Sequence, residues 1–222
     1  MRWVACACIN QHVSSSSSAK DLGVVFDTTL QMKQHMRNIC RSASFGIYKI
    51  GKMRKYLDQS STERLVHAFV TSRLDCNNSL LYGLPIGDIK SLQRVQNSAA
   101  RLVTRNKRQD HITPILRKLH WLPVKNRILF KILLLTFKAK HQLAPKYLTE
   151  LISDYTPATS VSLRSSSQHL LQPGPRTKTI CYGDRCFSVA APHLWNRLPP
   201  TLRCVKSLPV FKSKLKTHLF NV

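Results

Sequence analysis

Ten acidic side chains are the groups in this chain that could hold metal ions for phosphoryl-transfer chemistry. Such chemistry needs carboxylates close enough together to hold two Mg²⁺ ions about 4 Å apart. The sequence contains no adjacent pair of acidic residues, and Asp21 and Asp27 stand at opposite ends of a short apolar stretch. Capping or surface exposure explains these two aspartates better than a metal cluster does. We therefore expect no catalytic residues and no enzyme activity.

Cysteine and histidine residues near the C-terminus occur in the order C-x4-C-x6-H-x10-C, formed by Cys181, Cys186, His193 and Cys204. Structural zinc sites usually space paired ligands about two to four residues apart, and only the first pair approaches that spacing. The remaining histidines and cysteines suggest no nucleophilic triad, because triads are recognised by geometry and not by order. We expect no metal, no cofactor and reduced cysteines.

Lysine and arginine dominate the charged residues of this chain. They number 35 against 10 aspartates and glutamates, which gives a formal net charge of +25 at pH 7. Solubility alone needs a net charge of only about 2 to 8 on a small domain. Because the excess attracts polyanions, the composition favours nucleic acid as the partner over a membrane surface. The apolar runs are also too short to span a bilayer, so we expect no membrane segment.

Ten basic residues are the best candidates for phosphate contacts, because they lie on the flanks of predicted helices or in runs of charge. They are Arg94, Arg101, Arg105, Lys107, Arg108, Lys131, Lys138, Lys212, Lys214 and Lys216. Each of them also fits an ordinary solvated helix face. The run RNKR at 105–108 is the strongest candidate, because like charges packed this closely repel unless an anion relieves them.

Three aromatic or imidazole side chains occupy turn-like positions. His120 is interpreted as a packed or capping histidine in preference to a nucleic-acid contact. Trp121 and Trp195 are interpreted as core anchors, although aromatic rings can also stack on unpaired bases.

Apolar residues at helical spacing indicate a mainly α fold, a helical bundle with a short N-terminal strand and a small β/α C-terminal subdomain. The composition, with 43% apolar residues, is typical of a folded chain. We predict a flexible segment at 1–21, a helical domain at 22–152, a linker at 153–176 and the small subdomain at 177–222.

The predicted elements begin with a strand at 22–26 and a long helix at 30–56, which Gly46 and Gly51 weaken or bend. A capping box of Ser60 and Glu63 opens the second helix. Its predicted buried stripe is Leu65, Val66, Phe69, Val70 and Leu74.

Capping residues and prolines locate the later helices. Asp88 caps a third helix that ends near residue 104, and Thr113 caps a short one. Pro123 opens a strongly apolar helix that should form the core. Ser207 caps a last amphipathic helix, and residues 177–182 alternate like a short strand.

Five stretches of the chain carry a resemblance to a known family. They are SRLDCNNSLLYGLP at 72–85, LQRVQNSAARLV at 92–103, LHWLPV at 119–124, GDRCFSVAAPHLWNRLP at 183–199 and FKSKLKTHLF at 211–220. The series resembles the region downstream of the polymerase active site in reverse transcriptases of non-LTR (LINE-like, jockey-type) retrotransposons. The resemblance covers roughly residues 14–220 and implies a thumb-like helical bundle with a C-terminal segment.

The resemblance also implies roles for particular residues. In that family a short strand and turn with a Leu-Gly core helps to position the primer end. Leu22, Gly23 and Val24 match this primer-grip-like place, although an ordinary glycine in a strand or bulge fits equally well. The thumb and C-terminal segments are thought to cradle the template–primer duplex and the element's RNA, so the resemblance implies RNA or an RNA/DNA duplex as the partner.

Two places depart from the family pattern. Cys76 follows Asp75 directly, where relatives have an intervening tyrosine, and Gln142 replaces a helix-ending glycine. We expect a 5′-truncated, non-catalytic remnant of an RNA-directed DNA polymerase that keeps nucleic-acid affinity, in the nucleus or the cytoplasm. A domesticated helical RNA- or DNA-binding adaptor and a vestigial fragment without function are the alternatives.

Overall fold

Helices make up most of the described chain, together with a two-stranded antiparallel sheet near the N-terminus. The computed structural model describes residues 16–156, 169–175, 177, 179 and 182–221. The mainly α fold predicted from helical spacing is confirmed. The N-terminal sheet has a second strand that the sequence did not suggest.

The N-terminal hairpin pairs β1 (Ser18–Asp21) with β2 (Val24–Asp27). Its turn consists of Leu22 and Gly23, whose φ angles are 45° and 83°. Two positive φ angles in succession define the turn type that matches the twist of a two-residue hairpin. The predicted strand at 22–26 therefore began too early, because its first two residues turn the chain.

β1 lies inside the segment at 1–21 for which flexibility was predicted, and that division of the chain stays a prediction. Residues 1–15 lie outside the described part of the chain. Asp27 stabilises the connection that follows the hairpin, because its Oδ1 accepts the backbone N–H of Gln31 at 2.8 Å. This is the local capping role expected for it.

α1 (Lys33–Met53) is the first long helix and continues into a 3₁₀ turn at Arg54–Tyr56. Its buried residues are His35, Met36, Ile39, Ala43 and Ile50. The helix continues through both Gly46 and Gly51, where weakening was predicted. Gly46 permits close packing, because a Cβ there would lie 3.2 Å from the carbonyl oxygen of Phe69.

The second helix is continuous but changes its pitch. Its parts are α2 (Gln59–Val66), a π-helical turn (His67–Thr71) and α3 (Ser72–Asp75). The carboxylate of Asp58 accepts the N–H groups of Ser60 and Ser61, both at 3.2 Å. The predicted capping box at Ser60 was therefore wrong, because an aspartate two residues earlier caps the helix.

The buried stripe of this second helix follows a spacing of four residues. Val66, Val70 and Leu74 are buried, as predicted. Leu65 is only partly buried, and Phe69 is 54% exposed, contrary to the prediction. The π-helical turn contains an extra residue per turn, which rotates Phe69 out of the stripe.

α4 (Ile86–Thr104) and α5 (Ile112–Lys118) pack against each other. Pro85 precedes α4 with no side-chain cap, and Asp88, the predicted cap, lies in the first turn. His111 occupies the capping position of α5, two residues before the predicted Thr113. Both helices therefore begin slightly earlier than their capping signals suggested.

α6 (Val124–Lys140) follows Pro123 as predicted and connects two apolar clusters. Ile128 and Ile132 belong to the cluster formed with α1 and α4. Leu133 and Phe137 belong to the cluster formed with the C-terminal helices. The prediction that this helix forms the core is confirmed.

Three C-terminal helices complete the second cluster, α8 (Phe187–Asn196), α9 (Pro200–Arg203) and α10 (Leu208–Asn221). The short α7 (Lys146–Thr149) has no buried residue. The rings of Phe137 and Phe211 stack with centroids 4.3 Å apart, and Trp195 is fully buried beside them. Trp121 is 3% exposed in the first cluster, so both tryptophans are core anchors, as predicted.

The guanidinium of Arg185 connects the C-terminal part to the N-terminal part. It donates to the carbonyl oxygens of Leu30 and Leu80, each at 2.7 Å, and of Tyr82 at 2.9 Å. The division into a linker and a separate subdomain stays a prediction. The strand expected at 177–182 lies partly outside the described residues.

Candidate nucleic-acid interface

α4 and the loop that follows it carry five of the predicted phosphate contacts. Arg94, Arg105, Lys107 and Arg108 are exposed, as the sequence predicted. Arg101 is half-buried, and its Nη2 donates to the carbonyl oxygen of Asp110 at 3.1 Å. Arg101 was thus wrongly predicted to face the solvent, because it holds the following loop against the helix.

The loop after α4 presents its cations outward. The Oδ2 of Asp110 accepts the backbone N–H of Lys107 at 2.8 Å and the amide of Asn106 at 3.1 Å. That carboxylate therefore supports the backbone, and among the described residues it forms no ion pair with Lys107 or Arg108. The two cationic groups stay accessible to an anion.

Arg105 ends α4 with a left-handed backbone, φ 58°. Its Nη2 donates to the carbonyl oxygen of Arg54 at 3.2 Å. Arg54 in turn donates to the carbonyls of Leu102 and Val103 at 2.8 and 2.9 Å, which satisfies the end of the helix. Burial and then the charge of Arg105 lower the pKa of Arg54. An anion bound here would relieve this repulsion between the two guanidinium groups.

A cleft of about 330 Å³ brings together two predicted contacts from different helices. Lys131 from α6 and Lys216 from α10 both line it, and both are exposed. Neither lysine forms an ion pair with a described residue. The sequence supplied both residues but not their convergence, which depends on the packing of α10 against α6.

Arg127 also lines this cleft and was not predicted as a site residue. Its Nη1 donates to Oδ2 of Asp75 at 2.7 Å, and its Nε donates to the carbonyl of Leu122 at 3.0 Å. The ion pair balances the charge of Asp75, so the net positive charge of the cleft comes from Lys131 and Lys216. The helical spacing of Arg127 and Lys131 was the signal that could have identified it.

Asn78 adds a polar group to the cleft wall and is 4% exposed. Its Nδ2 donates to Oδ1 of Asp75 at 3.4 Å. Its Oδ1 is buried and accepts no hydrogen bond from any described residue. A buried acceptor without a donor is costly, and because this oxygen is buried it offers no contact to a ligand in the cleft.

His120 lines the cleft with an exposed side chain. It has a left-handed backbone, φ 54°, and its N–H donates to the carbonyl of Arg117, which ends α5. The predicted role at a helix end is therefore confirmed, and the predicted packed environment is wrong. The imidazole projects from a position that usually favours glycine.

The other predicted contacts do not reach this cleft. Lys138 is half-buried on α6, while Lys212 and Lys214 are exposed on α10. Leu22 and Gly23 form the tip of the hairpin, where Leu22 is 87% exposed, and Val24 is 2% exposed. The three primer-grip-like residues thus lie in different surroundings, and only the first two are accessible.

Metal ligands do not assemble in the described part of the chain, where no group of three acidic, cysteine or histidine side chains lies close enough together. Cys181 lies outside the described residues. Cys40, Cys76, Cys186 and Cys204 are free thiols. Within the described ranges, every helix is too short or too polar to cross a bilayer.

Comparisons with protein-family models, with curated proteins and with solved structures give no match to this chain.

Proposed function

We propose that this chain is a non-catalytic, nucleic-acid-binding protein with the ancestry of a non-LTR reverse transcriptase. Its basic helices hold RNA or an RNA/DNA duplex through the phosphates, in the nucleus or the cytoplasm. The single observation that carries this proposal is the convergence of Lys131 and Lys216 on one cleft, without carboxylate partners among the described residues. Exposed lysines directed at a common space suit a chain of phosphates.

The surroundings of the cleft support nucleic acid over a simple inorganic anion. The net charge of +25 adds a long-range attraction for polyanions. The cations at 105–108 extend the same chemistry to the exit of α4.

The arrangement of carboxylates supports a role without catalysis. Asp27 accepts the N–H of Gln31, Asp75 pairs with Arg127, and Asp110 holds the loop after α4. These carboxylates stabilise turns and helix contacts, which is a structural use. Two-metal catalysis would require carboxylates that share a pair of ions.

Binding of a labelled RNA/DNA duplex, followed by fluorescence anisotropy over a range of salt concentrations, tests the proposal. Each phosphate contact contributes a slope of about 0.9 to the fall of log affinity with log salt. The Lys131→Gln/Lys216→Gln variant should therefore lower the slope by about 2. The Lys20→Gln/Lys206→Gln variant removes the same charge from exposed lysines outside the cleft and is the matched control.

Affinity that does not depend on salt, or an equal change of slope in both double variants, would contradict the proposal. Strong preference for one RNA sequence at physiological salt would instead favour a domesticated adaptor.

A further inference from the structure

The solvent-facing side of α1 carries aromatic rings that the core does not use. Phe45 is 57% exposed and Tyr48 is 58% exposed, and Tyr56 in the following 3₁₀ turn is 77% exposed. Single exposed apolar residues are ordinary, but rings grouped on one side of a helix form a surface that a partner can cover. The rings lie opposite the buried residues Ala43 and Ile50 of the same helix.

Each of these rings has a lysine above it. Nζ of Lys49 lies 4.5 Å from the centroid of Phe45, and Nζ of Lys52 lies 4.7 Å from that of Tyr48. Lys55 lies 4.7 Å above the ring of Tyr56. We call these six residues the aromatic-basic stripe. In α1 the stripe spans about two helical turns, with Lys49 and Lys52 each four residues after the ring that they cover, and it ends in the 3₁₀ turn.

The charge around the stripe has a single sign. No acidic residue occurs between Asp27 and Asp58, an interval that includes all of α1. Arg41 and Arg37 are exposed one and two turns before Phe45, and they extend the positive face. A partner must therefore be anionic and must also offer flat apolar surfaces to the rings.

We propose that the aromatic-basic stripe binds unpaired, single-stranded nucleic acid, with bases stacked on Phe45 and Tyr48 and phosphates held by Lys49 and Lys52. Single strands combine π-faces with a regular negative charge, which matches a row of rings that are each paired with a cation. In a duplex the base faces are already stacked, so a duplex offers the stripe only phosphates. This inference rests on the proposed function and adds a second surface of different selectivity.

The lysines above the rings are consistent with this exchange. In the free protein a lysine at a ring face shields the ring, and at an exposed site this cation–π contact is weak. A stacking base takes the place of the ammonium group, which then moves to the neighbouring phosphate. Because the lysine–ring contact that is lost is weak, its replacement by a stacked base favours binding.

A labelled oligouridylate of about 12 nucleotides and an RNA/DNA duplex of equal length separate the two surfaces in one anisotropy assay. The Phe45→Leu/Tyr48→Leu variant keeps apolar bulk and charge but removes both rings. We expect its oligouridylate affinity to fall by about 25-fold or more, since each stacked base contributes about fivefold or more. Its duplex affinity should stay within about twofold of the unchanged protein.

Tyr147→Leu is the matched control, because Tyr147 is 67% exposed on α7, outside the stripe, and its replacement should leave both affinities unchanged. Far-UV circular dichroism verifies that the variants keep their helices. Unchanged oligouridylate affinity in the double variant would overturn the inference and leave the proposed function standing. Equal losses for both probes would overturn the selectivity for single strands.

Two further outcomes are distinguishable. If the unchanged protein binds neither probe, the proposed function itself fails. If the double variant binds oligouridylate normally but loses a complex with a defined acidic protein, the stripe belongs to a protein partner and the inference is overturned.

Discussion

Replacing Phe137 by alanine should remove the centre of the second apolar cluster. Phe137 is fully buried, and its ring stacks on Phe211 at 4.3 Å and lies 4.2 Å from the ring of His141. Truncating a buried phenylalanine to alanine costs about 3 to 5 kcal/mol. Aromatic pairing adds about 0.5 to 1.5 kcal/mol to simple burial, so we expect the upper half of that range.

Urea unfolding followed by circular dichroism at 222 nm measures this loss, and thermal unfolding provides a second reading. In a domain of this size each kcal/mol shifts Tm by about 2 to 4 °C, so Tm should fall by about 8 to 20 °C. Phe45→Ala is the control, because the same atoms are removed from a ring that is 57% exposed. It should change the free energy of unfolding by no more than about 0.5 kcal/mol.

The comparison of the two alanine variants tests the packing directly. If Phe137→Ala and Phe45→Ala destabilise the protein equally, the stacking of α6 on α10 does not hold the chain together as described.

Three further perturbations follow from backbone geometry and burial. Arg105→Gly should raise the free energy of unfolding by about 1 kcal/mol, because glycine adopts the left-handed conformation at φ 58° without strain. The same change should weaken duplex binding. A loss of stability in urea unfolding would contradict the first expectation. Gly174→Ala should destabilise the protein strongly, because the new Cβ would lie 2.3 Å from the carbonyl oxygen of Ser188. Gly87→Ala has no atom within 4 Å of the new Cβ and should stabilise the helix by up to about 1 kcal/mol. Equal melting temperatures of the two variants would refute the reasoning. Burial lowers the pKa of His35 below its usual value, so the unfolded chain takes up a proton first as the pH falls. Stability that is present above pH 6.5 should therefore be lost at lower pH, and this loss should be smaller in His35→Met. A pH profile of the urea midpoint that is the same in both proteins would contradict this.

Periodicity of apolar residues predicted the helices well, since burial on one face is encoded locally. α6 is the best example, because Pro123 marks its start and its apolar residues indicate a central position. Capping was harder to predict, because several polar residues near a helix start compete for the same N–H groups. Asp58, not Ser60, caps the second helix. His111 occupies the capping position of α5, although Thr113 was the stronger capping signal in the sequence.

The candidate site was only partly predictable because it depends on packing between distant helices. Lys131 and Lys216 were identified as single residues, while their shared cleft depends on how α10 lies against α6. Arg101 shows the opposite error, because its hydrogen bond to Asp110 could not be inferred from helical spacing. The aromatic-basic stripe left a readable signal, namely rings and lysines at helical spacing in an interval without acidic residues.

The hydrogen bonds donated by Arg185 can form only late in the synthesis of the chain. The carbonyls of Leu30, Leu80 and Tyr82 are formed long before their donor, which follows Tyr82 by 103 residues. At about 5 to 20 residues per second, translation reaches Arg185 roughly 5 to 20 s after Tyr82. Until then these three carbonyls rely on water, and α1 and α4 must associate through their own apolar faces.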